Sequence, residues 1–166
     1  MNELLIKLAE KIKEDPKGCF FNGPAESELI RQVEELKAII LPTSFKEFLM
    51  RFNGGFISLF EYKEGRDIET LAWNSNQLLS LEEISGAMQR IEHKVSGLEV
   101  KFIPFLHTSG GYYLCFLNPL EGVESKVYDL WHEAPATEWL EQVVYDSFAE
   151  LMEEYLKQNG KIETIG

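Results

Sequence analysis

Between Gly111 and Leu117 the chain reads Gly-Tyr-Tyr-Leu-Cys-Phe-Leu. An extended backbone there puts Tyr112, Leu114 and Phe116 on one side and Tyr113, Cys115 and Leu117 on the other. Successive side chains of a strand point to opposite faces, and here both faces are apolar. Such a strand belongs in the middle of a sheet with a covering layer above and below. The rest of the chain must therefore supply neighbouring strands and packing helices. With 166 residues, 45% of them apolar, it has material for one such domain. Its 11 Phe, 6 Tyr and 3 Trp exclude disorder as the dominant state.

Helical spacing predicts a first helix over 2–14, with Leu4, Leu5, Leu8 and Ile12 on one stripe, stopped by Asp15-Pro16-Lys17-Gly18. Phe20-Phe21 and Asn22-Gly23-Pro24 read as a connector and turn. A second helix over 26–37 has Leu29, Ile30, Val33 and Leu36 as its stripe. Leu41-Pro42 interrupts it, and Ser44 with Glu47 has capping-box spacing for a short third helix carrying Phe45, Phe48, Leu49 and Phe52. Asn53-Gly54-Gly55 ends that helix. Strands are expected over 56–62 and 68–73, around a turn at 63–67. Ser80 and Glu83 form a second capping box, opening a helix to about His93 with Leu81, Ile84, Met88 and Ile91 inward. Three strands follow over 100–106, 111–117 and 126–131, joined by the turns Ser109-Gly110-Gly111 and Asn118-Pro119-Leu120-Glu121-Gly122, which favour antiparallel pairing. Residues 137–145 fit helix or strand. Ser147 and Glu150 offer a third capping box for a closing helix over 146–158. The sum is an α+β fold: a mostly antiparallel sheet with N-terminal helices and a C-terminal helix packed on it.

The 28 acidic and 16 basic side chains leave a net charge of −12. A chain this acidic repels phosphate backbones, so nucleic acid and anionic membranes are not expected partners. Most of the excess lies between Glu121 and Tyr155, where ten acids face the single base Lys126. One reading is a solvated face that keeps the chain soluble. The other is a field that steers a basic partner, with Glu121, Glu124, Asp129, Glu133 and Glu138 as candidate partner-binding residues. The aromatics Tyr128, Trp131 and Trp139, with His132 beside Glu133, are either anchors for that partner or core residues. The N-terminus lacks the pattern of a signal peptide, no apolar run reaches membrane-spanning length, and Cys19 and Cys115 show no spacing pattern. A reduced, cytoplasmic location is expected.

Chemistry is sparse. His93, His107 and His132 are dispersed, so neither a metal nor a cofactor is expected. Cys115 with His132 and Asp129 is the one conceivable nucleophilic set, but an apolar run suppresses thiolate formation. Phosphate-loop and nucleophile-elbow spacings are absent from the sequence.

The segment Leu41-Pro42-Thr43-Ser44-Phe45-Lys46-Glu47-Phe48-Leu49, ending in Asn53-Gly54-Gly55, resembles the signature of the SUKH superfamily. The preceding helix with Glu28, Ile30 and Glu34, then Ile103-Pro104-Phe105, Gly110-Gly111, Tyr113-Leu114-Cys115, Val127-Tyr128, Trp131-His132-Glu133 and Ser147-Phe148-Ala149-Glu150-Leu151, resemble later parts of the family in the family's order. Two places depart from it: His107-Thr108-Ser109 stands where members often have an acid before Gly-Gly, and Leu117-Asn118 where they often have Leu-Asp. Residues 1–24 read as a helical extension outside the common core, and 25–166 as the SUKH-like domain. The resemblance implies a non-enzymatic, protein-binding domain. Most bacterial relatives are taken to be immunity proteins that neutralise polymorphic toxins, often nucleases, which are commonly basic; fungal relatives regulate cell-wall synthesis through protein contacts. The expectation is an immunity protein acting on a basic toxin domain through acidic surface, with a regulatory or scaffold module of the cell-wall-synthesis-regulator type as the alternative.

Overall fold

The computed structural model describes residues 1–60, 67–118, 124–131 and 133–165. Among these residues the centre is one antiparallel sheet of seven strands in which each strand pairs with the next in sequence. The strands are β1 (Cys19–Phe21), β2 (Gly55–Ile57), β3 (Gln77–Leu78), β4 (Phe102–His107), β5 (Tyr113–Leu117), β6 (Val127–Leu130) and β7 (Val143–Tyr145). The helices are α1 (Asn2–Glu14), α2 (Ser27–Lys37), α3 (Thr43–Leu49), α4 (Ile68–Trp73), α5 (Leu81–Val95) and α6 (Phe148–Lys157), with a 3-10 helix at Ala136–Glu141. The α+β architecture is as the sequence implies.

Leu114, Cys115 and Phe116 are fully buried, so β5 is covered on both faces as its sequence requires. On one face Phe105 stacks on Phe116 at 3.9 Å, and Phe45 from α3 and Phe148 from α6 close on that pair. Burying each such ring contributes roughly 1.5–3 kcal/mol. The opposite face carries a smaller cluster of Phe102, Cys115, Leu130 and Trp139 with Ile91 from α5. Tyr155 of α6, fully buried, accepts the Ile57 N–H at 2.8 Å and donates to the Asn76 carbonyl at 3.0 Å. One phenol thus satisfies backbone groups of two separate strand regions.

Several local expectations are corrected. Phe20-Phe21 is a strand, not a connector, pairing antiparallel with β2. Residues 68–73 are a helix, not a strand: Asp67 accepts the Thr70 N–H at 2.7 Å and the Thr70 hydroxyl at 3.1 Å, which caps a helix entrance. Among the described residues the strand expected over 56–62 forms only at Gly55–Ile57; its last two positions and most of the turn after it fall outside the described residues, as does most of the turn at 118–122. The stripe on α2 buries Ile30 but leaves Leu29 and Leu36 exposed, Leu36 at 81%. That helix is held instead by Glu34, which accepts the Leu41 N–H at 2.7 Å and pairs with Lys46 at 3.3 Å.

Ser80 and Glu83 form the full reciprocal capping box. Ser147 accepts the Glu150 N–H, while Glu150 reaches back to the Asp146 N–H rather than to Ser147. Ser44 is not a cap at all. It lies inside the first turn of α3, and its N–H and hydroxyl both donate to Glu124 from the far side of the chain.

The Asn53-Gly54-Gly55 turn is built for close approach. Gly54 and Gly55 have φ of +81° and +139°, and a Cβ there would lie 2.5 Å from the Ser80 nitrogen and 2.3 Å from the Phe20 oxygen. Asn53 accepts the Leu81 N–H at 2.8 Å, so the same turn caps α5. Residues 1–24 contribute more than a peripheral helix: Leu4, Leu5 and Leu8 of α1 lie in the main core, and β1 is one edge strand of the sheet.

Candidate functional site

The acidic stretch does not form one face. Glu121 lies outside the described residues. Glu124 is spent on the start of α3. Asp129 is fully buried, which corrects its place among surface candidates. Strand alternation explains this: Asp129 pairs with Leu114 and shares that residue's core-side face, and the C-terminal segment covers it. Its Oδ2 accepts the Ile165 N–H at 2.7 Å, while Oδ1 has no partner. Burial raises its pKa, opposed by the Ile165 hydrogen bond. Glu133 and Glu138 are exposed, the first just past β6 and the second on the 3-10 helix.

The aromatics sort likewise. Trp139 is buried against Phe102, and its indole N–H donates to the Trp131 carbonyl at 3.1 Å. Tyr128 is half-buried beside Phe102. Both serve the smaller core cluster. Trp131 is half-buried, and His132 lies outside the described residues. Cys115 is fully buried, and burial first, then the Asp129 charge, push its thiol well up. A protonated, enclosed sulfur is no nucleophile.

A different place gathers exposed aromatic and charged groups. An open groove of about 480 Å³ runs between α4, α5 and the sheet. From α4 come Glu69 and Trp73, one helical turn apart; Trp73 is 69% exposed. From α5 come Glu82, Glu83 and Arg90, with Gly86 between them. The sheet supplies His107 and Tyr113. Their rings meet edge-on at 5.3 Å, and Trp73 meets His107 edge-on at 5.5 Å. Arg90 donates to the Tyr113 hydroxyl at 2.9 Å, and Gln77 to Glu83 at 3.0 Å. Burial first, then Arg90, hold the His107 imidazole below its ordinary value, with Glu83 opposing. A backbone hydrogen bond at the start of α5, helped by Asn53, holds the Glu82 carboxylate low.

His107 reaches this groove because of a bulge in β4. Before it, Ile103 pairs with Phe116 and Pro104 with Cys115; after it, Leu106 pairs with Leu114 and His107 with Tyr113. The extra residue, Phe105, shifts the alternation by one, so His107 leaves the main-core face and joins Tyr113. Pro104 has no N–H to give the ladder, and that was the readable signal for an irregularity here. Trp73 was missed because its segment reads as a strand.

A family model described as SMI1 / KNR4 family (SUKH-1) matches residues 24–154, most of the chain. The chain belongs to that family. None of the curated proteins searched matches the sequence. Within the SMI1/KNR4 match, the signature residues have structural work: Leu41, Phe45 and Phe48 are fully buried, and Gly54-Gly55 makes the tight turn. Asn118, where members of the family often have Asp, accepts the Ile40 N–H at 2.8 Å and donates to the Ala38 carbonyl at 3.4 Å. The first needs only a carbonyl oxygen; the second needs the amide. Among the described residues, no cluster of His, Cys, Asp and Glu is arranged to hold a metal ion, and no helix is long and apolar enough to cross a membrane.

Proposed function

We propose that this chain acts by binding another protein, as an immunity protein that neutralises a polymorphic toxin. The observation that carries this reading is an SMI1/KNR4 chain with a net charge of −12 whose free acids, Glu133 and Glu138 among them, face water. A nuclease toxin holds phosphates with basic side chains, and an acidic inhibitor competes in the same field. The described titratable groups support binding over turnover: Cys115 is enclosed and the aromatic groove is open to solvent. Two buried free thiols, Cys19 and Cys115, suit a reducing cytoplasm. The charge balance disfavours nucleic acid and anionic membranes as partners.

The test is co-expression with the toxin domain encoded beside the gene. Growth rescue and a complex that co-purifies support the reading. A neighbouring frame without a toxin, together with no rescue against cognate candidates, favours the regulatory or scaffold role that the family also includes. Measured turnover of a small molecule by the pure chain refutes both.

A further inference from the structure

The groove between α4 and α5 has a shape and chemistry that the bulk acidity of the chain does not explain. Its size falls in the range of ligand clefts, roughly 300–1,000 Å³. Three carboxylates, Glu69, Glu82 and Glu83, face one base, Arg90. The base is engaged within the groove, its guanidinium donating to the Tyr113 hydroxyl at 2.9 Å, and the lining keeps an excess of acids. Trp73 leaves most of its indole in water and lines the same groove as these acids, its ring meeting His107 edge-on at 5.5 Å. Gly86 sits between Glu82 and Arg90 on α5, and a Cβ built there meets nothing within 4 Å, so the helix leaves this space open although alanine would favour the helix more.

We infer that this groove seats one arginine side chain of a basic protein partner, with its guanidinium on the Trp73 indole and its charge facing Glu69 and Glu82. An exposed indole with adjacent carboxylates suits a planar, weakly hydrated cation better than a compact ammonium. The groups facing His107 are Trp73, Tyr113, Arg90 and Glu83. Burial and Arg90 disfavour the charged imidazole there, which limits its repulsion toward a bound cation. The inference rests on the protein-binding reading and adds a recognition element to it.

The probe is the capped tripeptide acetyl-Gly-Arg-Gly-amide, titrated into the full chain while the Trp73 indole N–H is followed by NMR. A saturable shift is expected, weakened at least about tenfold by Gly86→Gln and by Glu82→Gln. Gly86→Gln adds a side chain where a Cβ meets nothing within 4 Å and raises helix propensity, so its melting temperature reports whether the fold is intact. The glutamate tripeptide should leave the resonance unmoved. No saturation, equal binding of the glutamate probe, or an undiminished shift in Gly86→Gln overturns the seat, whatever the growth assay shows. Equal binding of the lysine tripeptide overturns the preference for guanidinium. Rescue by the wild type with a dead groove rejects the seat alone, and a working groove without any toxin rescue rejects only the immunity role.

Discussion

Glu124 and Ser44 are 80 residues apart in sequence, and they form the start of α3 together: one carboxylate oxygen takes the Ser44 N–H at 2.8 Å and the other its hydroxyl at 2.5 Å. A helix begins with unpaired N–H groups and a positive end, which a carboxylate satisfies from outside as well as a local cap does. The expected cost of Glu124→Ala is about 1 kcal/mol. Ser44→Ala should cost a similar amount, and the double variant less than the sum, because both break one interaction. Urea unfolding of the four proteins measures this; strict additivity would show that the pair is not coupled.

Tyr155→Phe removes one hydroxyl and strands two backbone groups, the Ile57 N–H and the Asn76 carbonyl. Leaving buried polar groups unpaired costs about 1–3 kcal/mol each. The variant should unfold at clearly lower urea with an unchanged slope, since the ring still fills the core.

Asp129 carries a carboxylate in a buried site, with its pKa raised by burial. The folded protein therefore holds this proton at pH values where the unfolded chain has lost it. Its contribution is fully present below the unfolded value and is lost as pH rises through the folded value. Asp129→Asn keeps an oxygen for the Ile165 N–H and removes the charge. The variant should gain stability relative to wild type at pH 7–8 and lose that advantage near the ordinary carboxylate pKa of about 3.9. Thermal melts across pH measure it, and a difference that does not change with pH would mean that Asp129 ionises normally.

Charge reversal at Glu133 and Glu138 should slow association with a basic toxin domain several-fold and flatten its salt dependence, because exposed charges act on encounter. Asp129→Asn is the matched control: a buried charge should leave the association rate nearly unchanged. Stopped-flow rates at two salt concentrations separate the cases. If the reversals change nothing, steering by these residues is wrong.

What could be read from the chain was what short-range physics dictates. The doubly apolar run at 112–117 requires a covered central strand, and Ser80 with Glu83, or Asn53-Gly54-Gly55, announce helix ends through chemistry confined to a few residues. Reading failed where a partner came from afar. Ser44 with Glu47 has the spacing of a capping box, yet Glu124 takes its N–H. Asp129 reads as surface charge because its sequence neighbours are acidic, yet strand register turns it inward. Ile68–Trp73 reads as a strand because its apolar residues cluster, while the structure forms a helix whose entrance Asp67 caps.

The sequence by itself carried the α+β class through periodicity, the net charge through composition, and the family through the resemblance of its Leu41–Gly55 segment and later motifs. Only the tertiary structure decided which acids meet water and which cap or hide. It also assembled the groove, where residues from α4, α5, β4 and β5 meet through a one-residue bulge. Side-chain direction in a sheet reverses with each added residue, and no local pattern records which face a partner strand will cover.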